Sequence, residues 1–173
     1  ELGDPAAFLQ ALLGVEGPCY AISTACSSSA RAFISARRLL AANLADMVLV
    51  AGVDSLCRLT LNGFASLESL SAGISTPFAT GRDGINIGEG AAITLLTREK
   101  GPVALLGAGE SSDAYHISAP HPDGVGAEAA MAMALAQAGL NADEVGYINL
   151  HGTGTRLNDE MEAKAIWRLF GNR

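Results

Sequence analysis

Tyr20-Ala21-Ile22-Ser23, Thr24-Ala25-Cys26-Ser27-Ser28-Ser29 and Met47-Val48-Leu49-Val50-Ala51-Gly52 are the stretches that decide how this chain folds. The first is short and β-prone. The second, built from small polar residues, interrupts it as a tight turn. From Ser27 onward, Ala30, Phe33, Ile34, Leu40 and Ala41 fall near one helical stripe, with Arg31, Arg37 and Arg38 off it and Asn43 as its stop. The third stretch is a continuous apolar run, the pattern of a strand buried on both faces. Strand, turn, helix and strand in that order imply parallel strands joined by a crossover helix, and hence an α/β fold.

Downstream, Thr76-Pro77-Phe78, Gly81-Arg82-Asp83-Gly84 and Gly88-Glu89-Gly90 are turn signals. Ala91–Thr97 and Val103–Gly107 read as strands split by a Gly101-Pro102 turn. Ala127 to Gly139 reads as an alanine-rich helix that Gly139 closes. Val145–Leu150 reads as a strand ending at His151, and Asp159 to Phe170 as a last helix stopped by Gly171. A strand, a reactive-looking turn and a helix thus occur twice, at Cys26 and at His151, as two related halves would produce.

The bulk numbers exclude several classes. The 173 residues fit one domain, and 49% hydrophobic with 17% charged residues and 20 glycines excludes a disordered chain. A net charge of −7 gives no electrostatic footprint for nucleic acid or an anionic membrane. No apolar run approaches the roughly 20 residues that span a bilayer, and there is no signal-peptide pattern, although Glu1 is not an initiator methionine. Three cysteines, Cys19, Cys26 and Cys57, lack metal-type spacing, which points to a reducing cytoplasm. Cys19 and Cys57 read as small buried or half-buried hydrophobes. His116 and His121 are five apart with no third ligand beside them, so no metal site is expected; His116 reads instead as a residue that orders its loop. Asp83 and Glu89 sit in turns and are assigned no chemistry.

The two turns carry the chemistry. A cysteine attacks as thiolate, and a helix start favours that anion through its unpaired N–H groups and dipole. The same N–H groups suit the oxyanion of a thioester under attack. His151 stands at the carboxyl end of a strand, where ligands gather in open α/β sheets. Gly152 and Gly154 let the backbone pass close to a substrate, and Thr153 and Thr155 offer hydroxyls to a polar arm. Together they read as a nucleophile and its acid/base partner.

Thr24-Ala25-Cys26-Ser27-Ser28-Ser29 is similar to the nucleophile motif of β-ketoacyl-acyl-carrier-protein synthases and polyketide ketosynthases. His151-Gly152-Thr153-Gly154-Thr155 resembles their first-histidine motif, continued by Asn158-Asp159 through Glu162. Pro77-Phe78, Arg82-Asp83-Gly84 and Gly88-Glu89-Gly90 look like the stretch between them, and Ser111 to His116 like a loop beside the active site of the elongating enzymes. The resemblance implies a thiolase-like fold of the layered α-β-α-β-α kind, with two pseudo-symmetric halves and here incomplete at both ends. Residues 1–100 would be the end of the N-terminal half and 101–173 the start of the C-terminal half. It further implies a decarboxylative Claisen condensation. Cys26 would take an acyl group from an acyl carrier protein, and His151 would polarise the malonyl thioester. No cofactor is implied beyond the phosphopantetheine that arrives on the carrier. Thr153, Thr155 and Ser118 would meet that arm, Phe64 would line the acyl pocket, and Asp159 and Glu162 would orient the site. A homodimer is the implied assembly.

Departures from the pattern bear on activity. The family's second histidine and nearby lysine lie beyond Arg173, as does its glycine-rich C-terminal gate, so the chain alone is expected to be an inactive internal fragment that aggregates or depends on a partner. Glu68 stands where some relatives carry a carrier-docking arginine. Arg31, Arg37 and Arg38 read as a solvated helix face. Three rival readings compete with a condensing enzyme. A thiolase shares the fold and nucleophile but not the His151 motif. A cysteine hydrolase would need an orienting Asn or Asp, a role that Asn149 cannot be given from sequence. A non-catalytic chain-length subunit usually lacks the nucleophile. Whether the ketosynthase would belong to a modular polyketide synthase depends on flanking sequence.

Overall fold

The computed structural model describes residues 3–171. The chain folds as two compact units that do not follow its linear order: one runs through Ser55 and takes back Gly88–Ala104, the other holds Leu56–Ile87 and everything from Leu105 onward.

The first unit contains α1 (Asp4–Leu13), α2 (Ser28–Ala41), β1 (Met47–Asp54) and β2 (Gly90–Thr97). Helix α2 buries Ile34 and Leu40 of the expected stripe together with Ala36, which lies off it, and packs on β1, whose Val50 is buried. The helix stops at Ala41, and Asn43 takes a left-handed φ of 54°, which Asn tolerates better than most residues. β1 and β2 pair antiparallel over eight positions from Met47↔Thr97 to Asp54↔Gly90.

This corrects the expectation of a parallel pair. Tyr20–Ser23 forms no strand among the described residues. A strand exists only where another backbone completes its ladder. The eight residues of β2 offer β1 that ladder in full, whereas the four-residue segment runs straight into its turn. The expected strands at Val103–Gly107 and Val145–Leu150 likewise carry no ladder. Nor is β1 buried on both faces: Met47 and Val53 are exposed, because α2 covers one face only.

Arg98 ties this unit together. Its Nη1 donates to the Leu40 carbonyl at 3.1 Å and the Ala45 carbonyl at 2.7 Å, and its Nη2 to Asp46 Oδ1 at 2.9 Å. It therefore satisfies a carbonyl at the end of α2 and holds the approach to β1. With charged hydrogen bonds worth about 1.5–3 kcal/mol each when sheltered, and Arg98 half in solvent, Arg98→Met in the full-length protein should cost about 1–2 kcal/mol. Urea unfolding checks this; an unchanged midpoint would remove the tie.

The second unit contains α3 (Arg58–Ser66), α4 (Val125–Ala138), a 3₁₀ turn (Ala142–Glu144) and α5 (Arg156–Phe170). α4 ends as expected, with Gly139 left-handed at φ 70°. α5 begins three residues earlier than expected, capped by Thr155. α4 packs on α5, and Arg168 donates to Glu128 Oε2 at 2.6 Å and to the Asp123 carbonyl. The stretch after Leu105 lies against α4: Ala108 N–H donates to Gln137 Oε1 at 2.8 Å, and a Cβ on Gly109 would overlap the Ala130 carbonyl. Ala165 of α5 is fully buried.

Neither α1 nor α3 is anticipated by the sequence pattern. α1 is apolar on several sides, with Phe8, Leu12 and Leu13 exposed, so no single stripe marks it. α3 is only nine residues long and includes Gly63, a poor helix former. Cys19 and Cys57 are exposed, against expectation. Cys19 lies outside the helices and strands of the described residues. Cys57 caps α3 with its thiol 3.5 Å from the Thr60 hydroxyl rather than in a core.

Candidate active site

The Cys26 turn is held by its own hydrogen bonds. Ser28 N–H donates to the Ala25 carbonyl at 3.0 Å and Ser27 N–H to the Thr24 carbonyl at 3.3 Å. The Ser28 hydroxyl accepts from Thr24 N–H at 2.8 Å and donates to the Ala25 carbonyl at 2.6 Å; the Ser27 hydroxyl donates to the Thr24 carbonyl at 2.8 Å. Such side-chain bonds are why serines serve turns and helix starts. Ala25 is forced to φ 51°, an uncommon conformation for a residue with a Cβ. The result is an exposed Cys26 placed two residues before α2, on a backbone too sharply bent to continue either strand or helix.

The His151 turn belongs to the second unit and is built around two buried carboxylates of α5. Glu162 spans the backbone at the histidine: Oε1 accepts from His151 N–H at 2.6 Å and Oε2 from Gly152 N–H at 2.9 Å. Asp159, only 2% exposed, accepts from Gly154 N–H at 3.2 Å through Oδ1 and from Phe78 N–H at 2.7 Å through Oδ2. Asn158 Nδ2 lies 3.3 Å from Asp159 Oδ1 and 3.5 Å from Glu162 Oε2, linking the two. The spacing explains why one helix face can do this. Residues 159 and 162 are three apart, hence neighbours on the first turns of α5. The imidazole remains exposed while its backbone is fixed.

Gly154 has no room for a side chain. Its φ is 71°, and a Cβ would stand 2.6 Å from the Gly84 carbonyl and 2.7 Å from Ser75 Oγ. Those atoms belong to a loop that braces itself. Ser75 Oγ donates to the Gly84 carbonyl at 2.7 Å, and Asn86 joins Ser75 N–H and the Gly73 carbonyl, each at 2.8 Å. Asp83 accepts from Ala72 N–H at 3.1 Å. The Ser71 hydroxyl first, and that N–H second, hold its carboxyl below the usual carboxylate range. A lowered pKa means the anion suits the folded loop. Its contribution is present at neutral pH and is lost as pH falls through the depressed value. Cys57 is shifted down as well, by the hydroxyl and then the N–H of Thr60.

Of the remaining expected residues, Thr153 and Thr155 hydroxyls lie 2.7 Å apart. Ser118 N–H donates to His116 Nδ1 at 3.2 Å, so that ring does order its loop. Phe64 is half-buried in α3. Asn149 is exposed, accepting from the Tyr147 hydroxyl at 3.4 Å and donating to the Leu150 carbonyl at 3.4 Å. The structure thus joins His151 to Glu162, Gly154 to Asp159 and Thr153 to Thr155 within one unit, with Cys26 in the other. Sequence reasoning gave no role to Arg82 or to the backbone of Phe78, and both meet Asp159. A charged residue between turn glycines was the only local signal.

Two family models match the chain in succession: Beta-ketoacyl synthase, N-terminal domain, over residues 4–101, and Beta-ketoacyl synthase, C-terminal domain, over residues 103–173. Nodulation protein E of Rhizobium meliloti is 39% identical over 169 residues, covering 92% of this chain and 42% of that protein. The 3-oxoacyl-[acyl-carrier-protein] synthase 2 of Rhizobium meliloti (strain 1021) is 40% identical over 174 residues, covering 91% and 41%. Among solved structures, a ketosynthase in complex with its chain length factor from Xenorhabdus doucetiae superposes with a TM-score of 0.96 at 58% identity, over 99% of this chain and 43% of that one. The fold is therefore the α/β, thiolase-like fold of the ketosynthases. The chain spans about two fifths of the length of the curated relatives it matches. With Cys26 inside the first matched domain and His151 inside the second, this chain belongs to the β-ketoacyl synthase family.

Proposed function

We propose that this chain is the nucleophile-bearing and histidine-bearing part of an enzyme that condenses acyl thioesters in fatty-acid or polyketide-type synthesis. The Cys26 thiolate attacks an acyl thioester delivered by an acyl carrier protein and expels the carrier's pantetheine thiol, leaving an acyl-cysteine. Malonyl-carrier then loses carbon dioxide. His151 polarises its thioester carbonyl and steadies the enolate. The enolate carbon attacks the acyl-cysteine carbonyl, whose oxyanion meets the N–H of Cys26, and collapse releases the sulfur and the β-ketoacyl-carrier. Thr153, Thr155 and Ser118 bind the pantetheine arm, Phe64 lines the acyl pocket, and Asp159 and Glu162 orient the histidine turn. No resident cofactor or metal takes part. Residues 1–100 and 101–173 are the end of one half and the start of the other. The 173 residues by themselves are inactive in this reading.

The observation that carries it is the 58% identity to a ketosynthase, with both motifs present in order. The curated relative named as a 3-oxoacyl-[acyl-carrier-protein] synthase supports the carrier as partner. Among the described residues no helix is long and apolar enough to cross a membrane, and a reducing cytoplasm suits a free nucleophilic thiol. The test uses the full-length protein incubated with acyl-carrier and mapped by peptide mass spectrometry. The acyl mass should appear on Cys26 and vanish after iodoacetamide. An acyl mass elsewhere, or none on the folded protein, would overturn the reading.

A second reading concerns assembly. The ketosynthase that is 58% identical was solved with its chain length factor, which favours a non-identical partner over a homodimer. Native mass spectrometry of the full-length protein, alone and co-expressed with such a factor, distinguishes the two. Cys26 itself argues against this chain being the non-catalytic member of the pair.

A further inference from the structure

Arg82 has no part in the roles above, yet its guanidinium touches four groups around the start of α5. Nε lies 3.4 Å from Asp159 Oδ2, Nη1 donates to the Ala79 carbonyl at 3.0 Å, and Nη2 lies 3.4 Å from the Arg156 carbonyl and 3.5 Å from Glu160 Oε1. The Arg82 side chain is 16% exposed and that of Asp159 1%. Burying a carboxylate so far out of water is costly, and an opposite charge beside it offsets part of that cost. The same carboxylate holds Phe78 N–H and Gly154 N–H. Through Asn158 it adjoins Glu162, which holds His151 and Gly152.

We infer that Arg82 is a positioning residue for the histidine half of the reaction: by keeping Asp159 in place, it fixes the Gly154 backbone and with it the set of His151. The Cys26 turn is held by hydrogen bonds of its own, among Thr24, Ala25, Ser27 and Ser28. Arg82 therefore serves malonyl decarboxylation and leaves acyl transfer alone. The inference rests on the condensing-enzyme reading and adds to it a residue and a division of labour. A displacement near 1 Å at a reacting group can cost on the order of a hundredfold in rate, which sets the scale expected.

The test uses full-length protein and two assays, carbon dioxide release from malonyl-carrier and acylation of Cys26 by mass. Arg82→Met should lower kcat for decarboxylation about 10- to 100-fold with KM within about twofold, and leave the acylation rate within about threefold. Arg82→Lys, which keeps the charge, should recover part of kcat. In Asp159→Asn the charge that Arg82 serves is gone, so Arg82→Met combined with Asp159→Asn should be no slower than Asp159→Asn alone. Thermal unfolding confirms that each variant is folded, and the double variant keeps the test open if Arg82→Met is not. Losses in the double variant that multiply, or a fall in acylation as large as that in decarboxylation, overturn the assignment. His151→Ala separates the two levels. If it stops decarboxylation while Arg82→Met does not slow it, only the role of Arg82 fails; if it decarboxylates normally, the condensing-enzyme reading fails with it.

Discussion

Cys26→Ala in the full-length protein abolishes condensation, by a factor of at least about a thousand, and abolishes acyl loading, yet leaves a measurable release of carbon dioxide from malonyl-carrier. His151→Ala does the reverse: Cys26 still accepts the acyl group, and decarboxylation falls by a comparable factor. The contrast follows from where each residue stands. Cys26 is on a self-bonded turn before α2, and in the proposed reaction its loss removes the atom that takes the acyl group. His151 is on a different turn, anchored by α5, and in the proposed reaction its loss removes the group that polarises the malonyl carbonyl. Loading is read by intact mass and decarboxylation by radiolabelled carbon dioxide. If both variants lose both half-reactions equally, the assignment of separate roles is wrong.

Glu162→Ala is expected to damage stability and rate together. Its two oxygens hold the N–H groups of His151 and Gly152 at 2.6 and 2.9 Å, and the residue is 9% exposed. Alanine leaves two sheltered donors without acceptors. At about 1–3 kcal/mol for each unsatisfied group, the cost is about 2–4 kcal/mol, allowing for partial access of water. Decarboxylation should fall about a hundredfold, because the backbone that aims the imidazole is released. Glu162→Gln keeps one acceptor but turns an amide N–H₂ toward an N–H, so it should lie between. Urea unfolding paired with the decarboxylation assay tests both halves. Glu162→Ala with wild-type stability would show that water replaces the clamp without loss.

Much of the local structure could be read from residues alone. The Ile34–Leu40 stripe marks α2, Gly139 marks the end of α4, and the Ser-rich and Gly-Thr turns mark the two places where a backbone must bend beside a reactive side chain. Each depends on a few neighbours in the chain, and such signals survive without tertiary context. The missed helices α1 and α3 fail for the complementary reason, since one has no single apolar face and the other is short and carries a glycine.

Strand pairing was a different matter. Tyr20–Ser23, Val103–Gly107 and Val145–Leu150 have the composition of strands, but a ladder needs a second backbone, and composition does not say which one arrives. β1 met β2, antiparallel, across 35 intervening residues that fold largely in the other unit. Arg82 shows the same limit at the scale of a side chain. In sequence it is a charge between two glycines, 77 positions from Asp159; in space it lies 3.4 Å from that carboxylate. The sequence by itself determined the family, the two reactive turns and the helices with clean stripes, because these rest on short-range order. Only the tertiary structure decided the pairing of β1, the exposure of Cys57 and the carboxylate clamp on the His151 turn, because burial and charge compensation depend on groups that the fold brings together from far apart.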